Sequence, residues 1–585
     1  MLIKKDKKSF LFTSSKSFFT FNNLFNKKFF STILKLLGIL QIILFICFLY
    51  IVIALDKEEI KVLLHSTASK VYWSGKYVKI LPLKWSNNIS SEHPILNLKI
   101  APKDYQLLML FRNDIINDDD SRTILREEHR KRVPAVVSYD NDEFDVRIRL
   151  KGDGAERHSA AVKWSMRVAI NNGRFLNMKA FNLQDPKRRS YVVSFMLHKI
   201  SQFENLTTKK FNLIPVSING KYMGIYNYEE IPDHNMNMFL TGVNNIVIFI
   251  DDDDMFEEAA HVINLDTRLG VISSVGLYYN EVIKAHSLNE ILGDSILKED
   301  FENASKIYNG FRNGKLTVSE VFDEDKVAIW LAISNLGGAY HGTGRGNIKL
   351  VYDRNSKRLY PIIWDAYSEN AFSAVGFNKQ NMFSMDSVYL FGSDRAHPDM
   401  FIAQLFEDEN FVEKYLKKLN QITEPDYIDK VMETMKPDVD EYMNVLNLDY
   451  PQFKIEDALK RLRENAQYLR DIYLYPEVPF NAYLSENDKE NSLILVNRKA
   501  IPIKIIALVD ITSGQQFKVK SNAKSNFILV RNIPGKPAIP IEVSFECPMK
   551  NCLNVNKINN LRVSAQVIGA NKKTSVKINN WIAYE

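Results

Sequence analysis

Cysteine is scarce in this chain, with 3 residues in 585. Cys47 lies inside an apolar segment, whereas Cys547 and Cys552 stand close together in FECPMKNCLN near the C-terminus. A zinc site needs more ligands than this pair has nearby, so the sequence argues against one. If this region lies outside the cytoplasm, the spacing fits a short-loop disulfide or two free thiols, and the disulfide is favoured.

Most of the chain also lacks a large net charge of either sign. The net charge is +6, but many lysines are concentrated in 4–35, ahead of the apolar segment. The remainder is close to neutral, so the composition does not support nucleic-acid binding. Hydrophobic content of 46% with 25% charged residues is ordinary for globular protein. The length predicts roughly two to four domains.

Long hydrophobic runs are absent except for 36–55, which reads LLGILQIILFICFLYIVIAL. At about 1.5 Å per residue this segment spans the roughly 30 Å hydrocarbon core of a bilayer. The basic region before it is longer than that of a signal peptide, and no small-residue cleavage site follows. We therefore predict a single-pass protein of the cell membrane, in contact with lipid through one helix. Its basic tail (1–35) is cytoplasmic, and the bulk of the chain is extracytoplasmic.

The remaining sequence divides into three parts by its predicted secondary structure. A membrane-proximal lead-in covers 56–135, mixed strands and helices cover 136–478, and short strands with turn residues cover 479–585. The last pattern predicts a small β-sandwich domain. Asn219-Gly220 between two apolar strands predicts a hairpin, and a second hairpin is predicted to turn at Asn355-Ser356.

Several polar residues accompany the predicted core strands. Lys151 opens KGDG at a strand end; the glycines would let backbone approach a phosphate, although most such sequences are turns. Lys163, Ser165 and Arg167 alternate along one strand and so face one side, either as a solvated edge or as a cationic wall for phosphates. Glu229 ends another strand, as a surface acid or as a buried partner of Lys163.

The stretch 337–369 has the most chemistry. His341 lies in a glycine-rich loop, Asn347 opens a predicted hairpin and Asp365 closes it, so Asn347 and Asp365 are expected to be neighbours. An Asn and an Asp beside a loop hold magnesium–ATP in protein kinases, whereas a strand-end Asp can also simply cap a turn. The aspartates at 251–254 are expected to form a solvated loop or, with His341, the cation site of a metal-dependent hydrolase.

The order of four motifs resembles the spore-coat protein H (CotH) kinase family. The motifs are IRLKGDGAERH, VKWSMRV, VSINGKYMGIYNYEE and GNIKLVYDRNSKRLYPIIWD, spread over 147–369. The resemblance implies an α+β fold with an atypical protein-kinase-like two-lobed core in 136–478. With the transmembrane helix and the C-terminal β-sandwich, this is the predicted fold class.

The resemblance also implies a site for ATP and magnesium. Lys163, with Lys151 and Arg167, would contact the ATP phosphates, and Glu229 would orient Lys163. Asn347 and Asp365 would hold the metal. Kinases place their catalytic base where this chain has Gly342, so His341 is the predicted base if the protein transfers phosphate at all.

Two functions follow from these expectations. The first is a membrane-anchored extracytoplasmic kinase that acts on an envelope protein or a surface glycan, with ATP and magnesium as cofactors. The alternative is a catalytically inactive binding or assembly protein of the cell envelope or exopolysaccharide system. Neither involves nucleic acid.

Overall fold

The computed structural model describes residues 93–116, 127–152, 163–233, 245–250, 278–279, 281–343, 345–366, 400–484, 491–497, 502–520, 528–529, 540–547, 553 and 557–579. The predicted transmembrane helix, the basic tail, much of the lead-in and the aspartates at 251–254 lie outside these residues. Every helix within the described ranges is too short or too polar to cross a membrane. The membrane location therefore stays a prediction.

Seven strands close into a barrel in the order β1-β2-β3-β4-β5-β7-β6. In β3 the buried residues Val146, Ile148 and Leu150 alternate with more exposed ones, the period-two pattern of a strand with one apolar face. Strand β1 pairs antiparallel with β2 and parallel with β6, and this second pairing closes the barrel. The barrel strands are β1 (Leu96–Lys99), β2 (Val133–Tyr139), β3 (Asp142–Leu150), β4 (Met166–Ile170), β5 (Ala180–Gln184), β6 (Phe211–Ile218) and β7 (Lys221–Glu230).

The predicted hairpin at Asn219-Gly220 is confirmed, since it joins β6 to β7. Both residues have left-handed backbone, with φ of 50° and 77°, as this two-residue turn requires. The Asn219 side chain also accepts a 2.7 Å hydrogen bond from the amide of Ile100. The turn is thereby tied to the end of β1, next to the closing pair of strands.

A second sheet is antiparallel, with the order β11-β10-β8-β9. The β10–β11 hairpin confirms the other predicted turn, because Asp353 pairs with Arg358 across Asn355-Ser356. The strands of this sheet are β8 (Ile246–Ile250), β9 (Ile283–Ala285), β10 (Lys349–Asp353) and β11 (Arg358–Pro361).

Helices pack between the sheets around one helix, α6 (Glu324–Gly337), which is buried from Val327 to its end. Asp323 caps its first turn, and Gly338, with φ of 59°, ends it. Gly337 meets α2 so closely that an added Cβ would lie 2.5 Å from Leu197. The described helices are α1 (Pro102–Ile116), α2 (Val193–Phe203), α3 (Leu288–Gly293), α4 (Ser295–Arg312), α5 (Val318–Val321), α6, α7 (Met400–Leu405), α8 (Glu409–Ile422), α9 (Tyr427–Asn447) and α10 (Ile455–Leu469).

The C-terminal strands form one eight-stranded sheet in the order β15-β14-β18-β19-β12-β13-β17, with β16 beside β14. It curls until its edges approach each other at a bridge between Val519 and Phe545. Cys547 follows β17 and Cys552 lies outside the described residues, so their disulfide stays a prediction. The strands are β12 (Phe480–Leu484), β13 (Ser492–Asn497), β14 (Ile503–Asp510), β15 (Gln516–Lys518), β16 (Ile528–Leu529), β17 (Ile541–Ser544), β18 (Leu561–Val567) and β19 (Thr574–Asn579).

The predicted fold class is wrong in the parts that the structure describes, the kinase-like two-lobed core and the C-terminal β-sandwich, whereas the predicted transmembrane helix lies outside the described residues. The strands expected in one lobe close into a barrel, because β1, from the predicted lead-in, pairs on both sides. The barrel is not a separate lobe either. One hydrophobic core runs from β6 and β7 through the helices into the C-terminal sheet. That sheet is single and curled, whereas a sandwich has two packed sheets.

Candidate functional site

Asp365 stands at the end of the second hairpin, directly after Trp364. Its backbone is left-handed, with φ of 46°, a conformation uncommon outside glycine and often found at functional positions. Ser194, in the first turn of α2, donates a 2.6 Å hydrogen bond to the carbonyl of Ala366 and so holds the residue that follows Asp365. The carboxylate accepts from Arg189, and its side chain keeps 11% of its surface exposed. Asp365 is therefore a largely buried carboxylate that is held by Arg189 and keeps a small accessible surface.

A buried ion cluster lies behind Asp365. Arg189, at the end of the short helical turn Pro186–Arg189, donates to both carboxylate oxygens of Glu229 on β7, one of them at 3.2 Å. Lys209 donates to the same carboxylate at 3.2 Å. These three side chains are at most 1% exposed. Such a cluster is stable only because each charge has an opposite neighbour.

The cluster keeps both carboxylates ionised. Burial alone would raise the pKa of Glu229, but the two cations beside it outweigh burial and bring the pKa to about 2. Burial also acts to raise the pKa of Asp365, and the charges of Arg189, Lys151, His341 and Lys209 instead hold it well below its usual value. At neutral pH the site therefore presents a permanent negative charge at Asp365, surrounded by positive ones.

His341, on the loop after α6, lies beside Asp365, and Asn347 contacts the same loop. The His341 Nε2 atom is 3.8 Å from the Asp365 carboxylate, and the Asn347 amide donates a 3.0 Å hydrogen bond to the His341 carbonyl. Gly342 lets this loop touch the hairpin end, because an added Cβ would lie 2.4 Å from the carbonyl oxygen of Trp364. Three of the predicted site residues thus meet at one loop.

A basic face leads from the barrel to this loop; we define it as Arg147, Arg149, Lys151 and Arg167. The first three alternate along β3 and its end, so they share the outward side. Arg149 lies directly opposite Arg167 on β4. Arg167 also donates a 3.2 Å hydrogen bond to the buried amide oxygen of Asn182 on β5. Positive charge is therefore concentrated on adjacent strands, and Lys151 acts on Asp365.

The positive region continues onto the second sheet around Trp364. The ammonium of Lys209 lies 4.1 Å from the centre of the indole ring, and that of Lys349 lies 5.9 Å away. Burial lowers the pKa of His286 well below its usual value, and the charges of Lys349 and Arg167 lower it further. His286 is therefore neutral at neutral pH, chiefly because it is buried and in addition because Lys349 and Arg167 place positive charge beside it.

Lys163 is placed elsewhere. Its ammonium bonds to Asp449 at 2.7 Å, to the carbonyl of Ile225 at 2.7 Å and to the hydroxyl of Tyr450 at 3.0 Å. The expected pairing of Lys163 with Glu229 is not formed, because Arg189 and Lys209 occupy that carboxylate. Lys163 is also 2% exposed, so it does not line the basic face with Arg167.

The described residues fit a magnesium ion poorly. Asn347 and Asp365 supply one amide and one carboxylate, and a divalent cation would meet the charges of Arg189, Lys151 and His341 at the same carboxylate. No group of three or more His, Cys, Asp or Glu side chains within the described ranges could hold a metal. Magnesium usually needs carboxylates together with substrate phosphates. The binding of magnesium therefore stays a prediction.

The sequence reasoning missed Arg189, Lys209 and Arg149. Arg189 lies in QDPKRRSY, where a basic run beside a proline is typical of an exposed turn. The available signal for Arg149 was the alternation in VRIRLKG, which puts Arg147, Arg149 and Lys151 on one side of β3.

No family model matches this chain, and no curated protein matches it. The resemblance to the CotH kinase family therefore stays a prediction.

Proposed function

We propose that the protein binds a phosphate-bearing ligand on the basic face, next to Asp365. The observation that carries the proposal is the pair Arg149 and Arg167, which stand directly opposite each other on β3 and β4. Like charges in that register destabilise a sheet. A phosphate group reverses the sign of this interaction, because its oxygens accept hydrogen bonds from both guanidinium groups.

Each neighbouring residue has a role in this binding. Lys151 follows Arg149 along the same side and supplies a third positive charge to the phosphate. Asp365 would repel an anion if its charge were uncompensated, but Arg189 donates to the Asp365 carboxylate and neutralises that charge. The accessible edge of the site is formed by residues that are partly exposed: Arg149, Lys151, Arg167, His341 and Asn347.

A second candidate function, phosphoryl transfer, is favoured by the 3.8 Å approach of His341 to Asp365. In this reaction the His341 imidazole accepts the proton of a hydroxyl group, and the hydroxyl oxygen then attacks the phosphorus. The bond between phosphorus and the leaving oxygen breaks, and its electron pair stays on the leaving group. Asp365 stabilises the protonated imidazole, and the basic face stabilises the charge on the transferring group. An envelope protein or surface glycan as the hydroxyl donor stays a prediction.

Calorimetric titration with pyrophosphate and with ATP, each with and without magnesium, tests the binding proposal. We expect saturable binding that weakens as salt is added, because the contacts are between charges. Arg149→Gln and Arg167→Gln should each weaken binding about 10- to 100-fold, the size of a lost charged hydrogen bond. Arg463→Gln is the matched control, because Arg463 is 45% exposed on α10 and paired with Asp429. Equal binding by all three variants would contradict the proposal.

Phosphoryl transfer is tested separately by product formation from ATP. His341→Ala should lower the rate about 10²- to 10⁴-fold if the imidazole is the base, and pyrophosphate affinity measured on the same variant separates a loss of chemistry from a loss of binding. A protein that binds ATP without consuming it would eliminate the second candidate and leave the first in place.

A further inference from the structure

A second buried polar network joins the C-terminal helices to the barrel. Asp449 and Tyr450 follow α9, and both bind the ammonium of Lys163. The Asp449 carboxylate also accepts from the amide of Ile225 on β7 at 2.9 Å. Gly224 is required at this point: an added Cβ would lie 2.4 Å from the Asp449 carboxylate, and the backbone has φ of 93°. The network therefore attaches the end of α9 to β7, the strand that also carries Glu229.

The same network reaches the turn that carries Arg189. The Tyr450 hydroxyl donates a 2.9 Å hydrogen bond to Asp185. Asp185 in turn accepts from the amide of Lys187 at 3.1 Å and so caps the short helical turn that ends at Arg189. Tyr450 is 3% exposed and Asp185 is 8% exposed. A buried hydroxyl thus connects Lys163 to the cap of the Arg189 turn.

The two residues after Arg189 need outside support. Ser190 and Tyr191 are both left-handed, with φ of 52° and 55°, and such positions persist only where surrounding contacts hold them. Here the support comes from the same helical region. Tyr442 on α9 donates a 2.6 Å hydrogen bond to the Tyr191 carbonyl, and the Tyr191 ring lies stacked 3.9 Å from that of Phe453.

We propose that Lys163, Asp449 and Tyr450 are positioning residues that hold the Arg189 guanidinium against Asp365. This proposal rests on the proposed function, because it assigns the residues to the same anion site. The three residues act through Asp185 and the turn. If the turn relaxes, Arg189 leaves Asp365, and the exposed negative charge of Asp365 then repels the phosphate.

The test removes one hydroxyl group. Tyr450→Phe keeps the ring and its packing but deletes both the bond to Asp185 and the bond from the Lys163 ammonium. The matched control is Tyr415→Phe, because the Tyr415 hydroxyl is similarly buried and accepts a 2.8 Å hydrogen bond from Asn335 on α6, a different element from the Arg189 turn. Asp185→Ala is a second variant, which breaks the same link and leaves the Lys163–Asp449 ion pair intact.

The first measurement needs no ligand. In protein with labelled arginine, the side-chain Nε–H NMR signal of Arg189, assigned by Arg189→Lys, reports its ion pairs directly. Tyr450→Phe and Asp185→Ala should shift and broaden this signal, whereas Tyr415→Phe should not. An unchanged Arg189 signal in either folded test variant would overturn the proposal.

The second measurement is affinity for pyrophosphate. Tyr450→Phe should weaken binding about tenfold, the effect of losing about one hydrogen bond's worth of positioning, and the control variant should bind as the parent does. If the parent protein itself does not bind pyrophosphate, the proposed function fails, and the Arg189 signal still decides the positioning role. A shifted signal with unchanged affinity would refute the assignment to the anion site.

Discussion

Glu229→Gln removes a single negative charge from the centre of the buried ion cluster. The substitution keeps the shape of the side chain, so its main effect is to leave Arg189 and Lys209 without their shared carboxylate. Breaking a buried pair in this way typically costs about 3–5 kcal/mol. The pKa of Glu229 supports a loss of unfolding free energy of this size, because its fall from 4.5 to about 2 on folding corresponds to about 3 kcal/mol of stability.

The sign of the pH dependence follows from that pKa. Since the folded state lowers it, the contribution of Glu229 is complete above about pH 4.5 and is lost as pH falls toward about 2. Urea unfolding at neutral pH and at about pH 3 should therefore show a large difference between the parent and Glu229→Gln at neutral pH. The difference should be smaller in acid.

Glu413→Gln is the control for this measurement. Glu413 is 41% exposed and pairs with Lys417 one helical turn away, so its loss should change stability by about 0.5 kcal/mol or less. If Glu229→Gln lies within about 1 kcal/mol of the parent at neutral pH, or if the difference does not shrink in acid, the ionised buried cluster is refuted.

Two glycine substitutions give further tests of the close approaches at the site. Gly224→Ala should lower the free energy of unfolding by about 2–5 kcal/mol, because the new Cβ strains the left-handed backbone and meets Asp449. The control is Gly220→Ala, which is also left-handed but lies in open space and should cost only about 1 kcal/mol. Equal losses of unfolding free energy would disprove the contact. Gly342→Ala should push the His341 loop away from the hairpin end and weaken pyrophosphate binding, while Gly293→Ala, which meets nothing within 4 Å, should bind normally. Calorimetry that finds no difference between these two variants would show that the loop contact is irrelevant to binding.

Local patterns predicted many of the individual elements correctly. The Asn219-Gly220 turn and the β10–β11 hairpin depend on neighbours in the chain, which turn residues and strand periodicity indicate. The hairpin also explains why Asn347 and Asp365 both reach the His341 loop, since its two ends must lie together.

The closure of the barrel and the ion partners were not predictable in the same way. The closing pair joins β1 to β6, so that the Ile100 amide bonds a side chain 119 residues away. Lys163 bonds Asp449 across 286 residues, and Arg189 reaches Asp365 across 176. For the two ion pairs, the local sequence shows that a charged residue is present in a strand or a turn. It does not show which distant residue of opposite charge the fold brings next to it.

A crystal structure of the protein soaked with pyrophosphate would show whether an anion binds on the basic face. We expect a bound anion within hydrogen-bond distance of Arg149 and Arg167, with Lys151 beside it and Arg189 still paired to Asp365. Clear density for these side chains at saturating pyrophosphate with no anion between them, or an anion bound only at another surface, would contradict it.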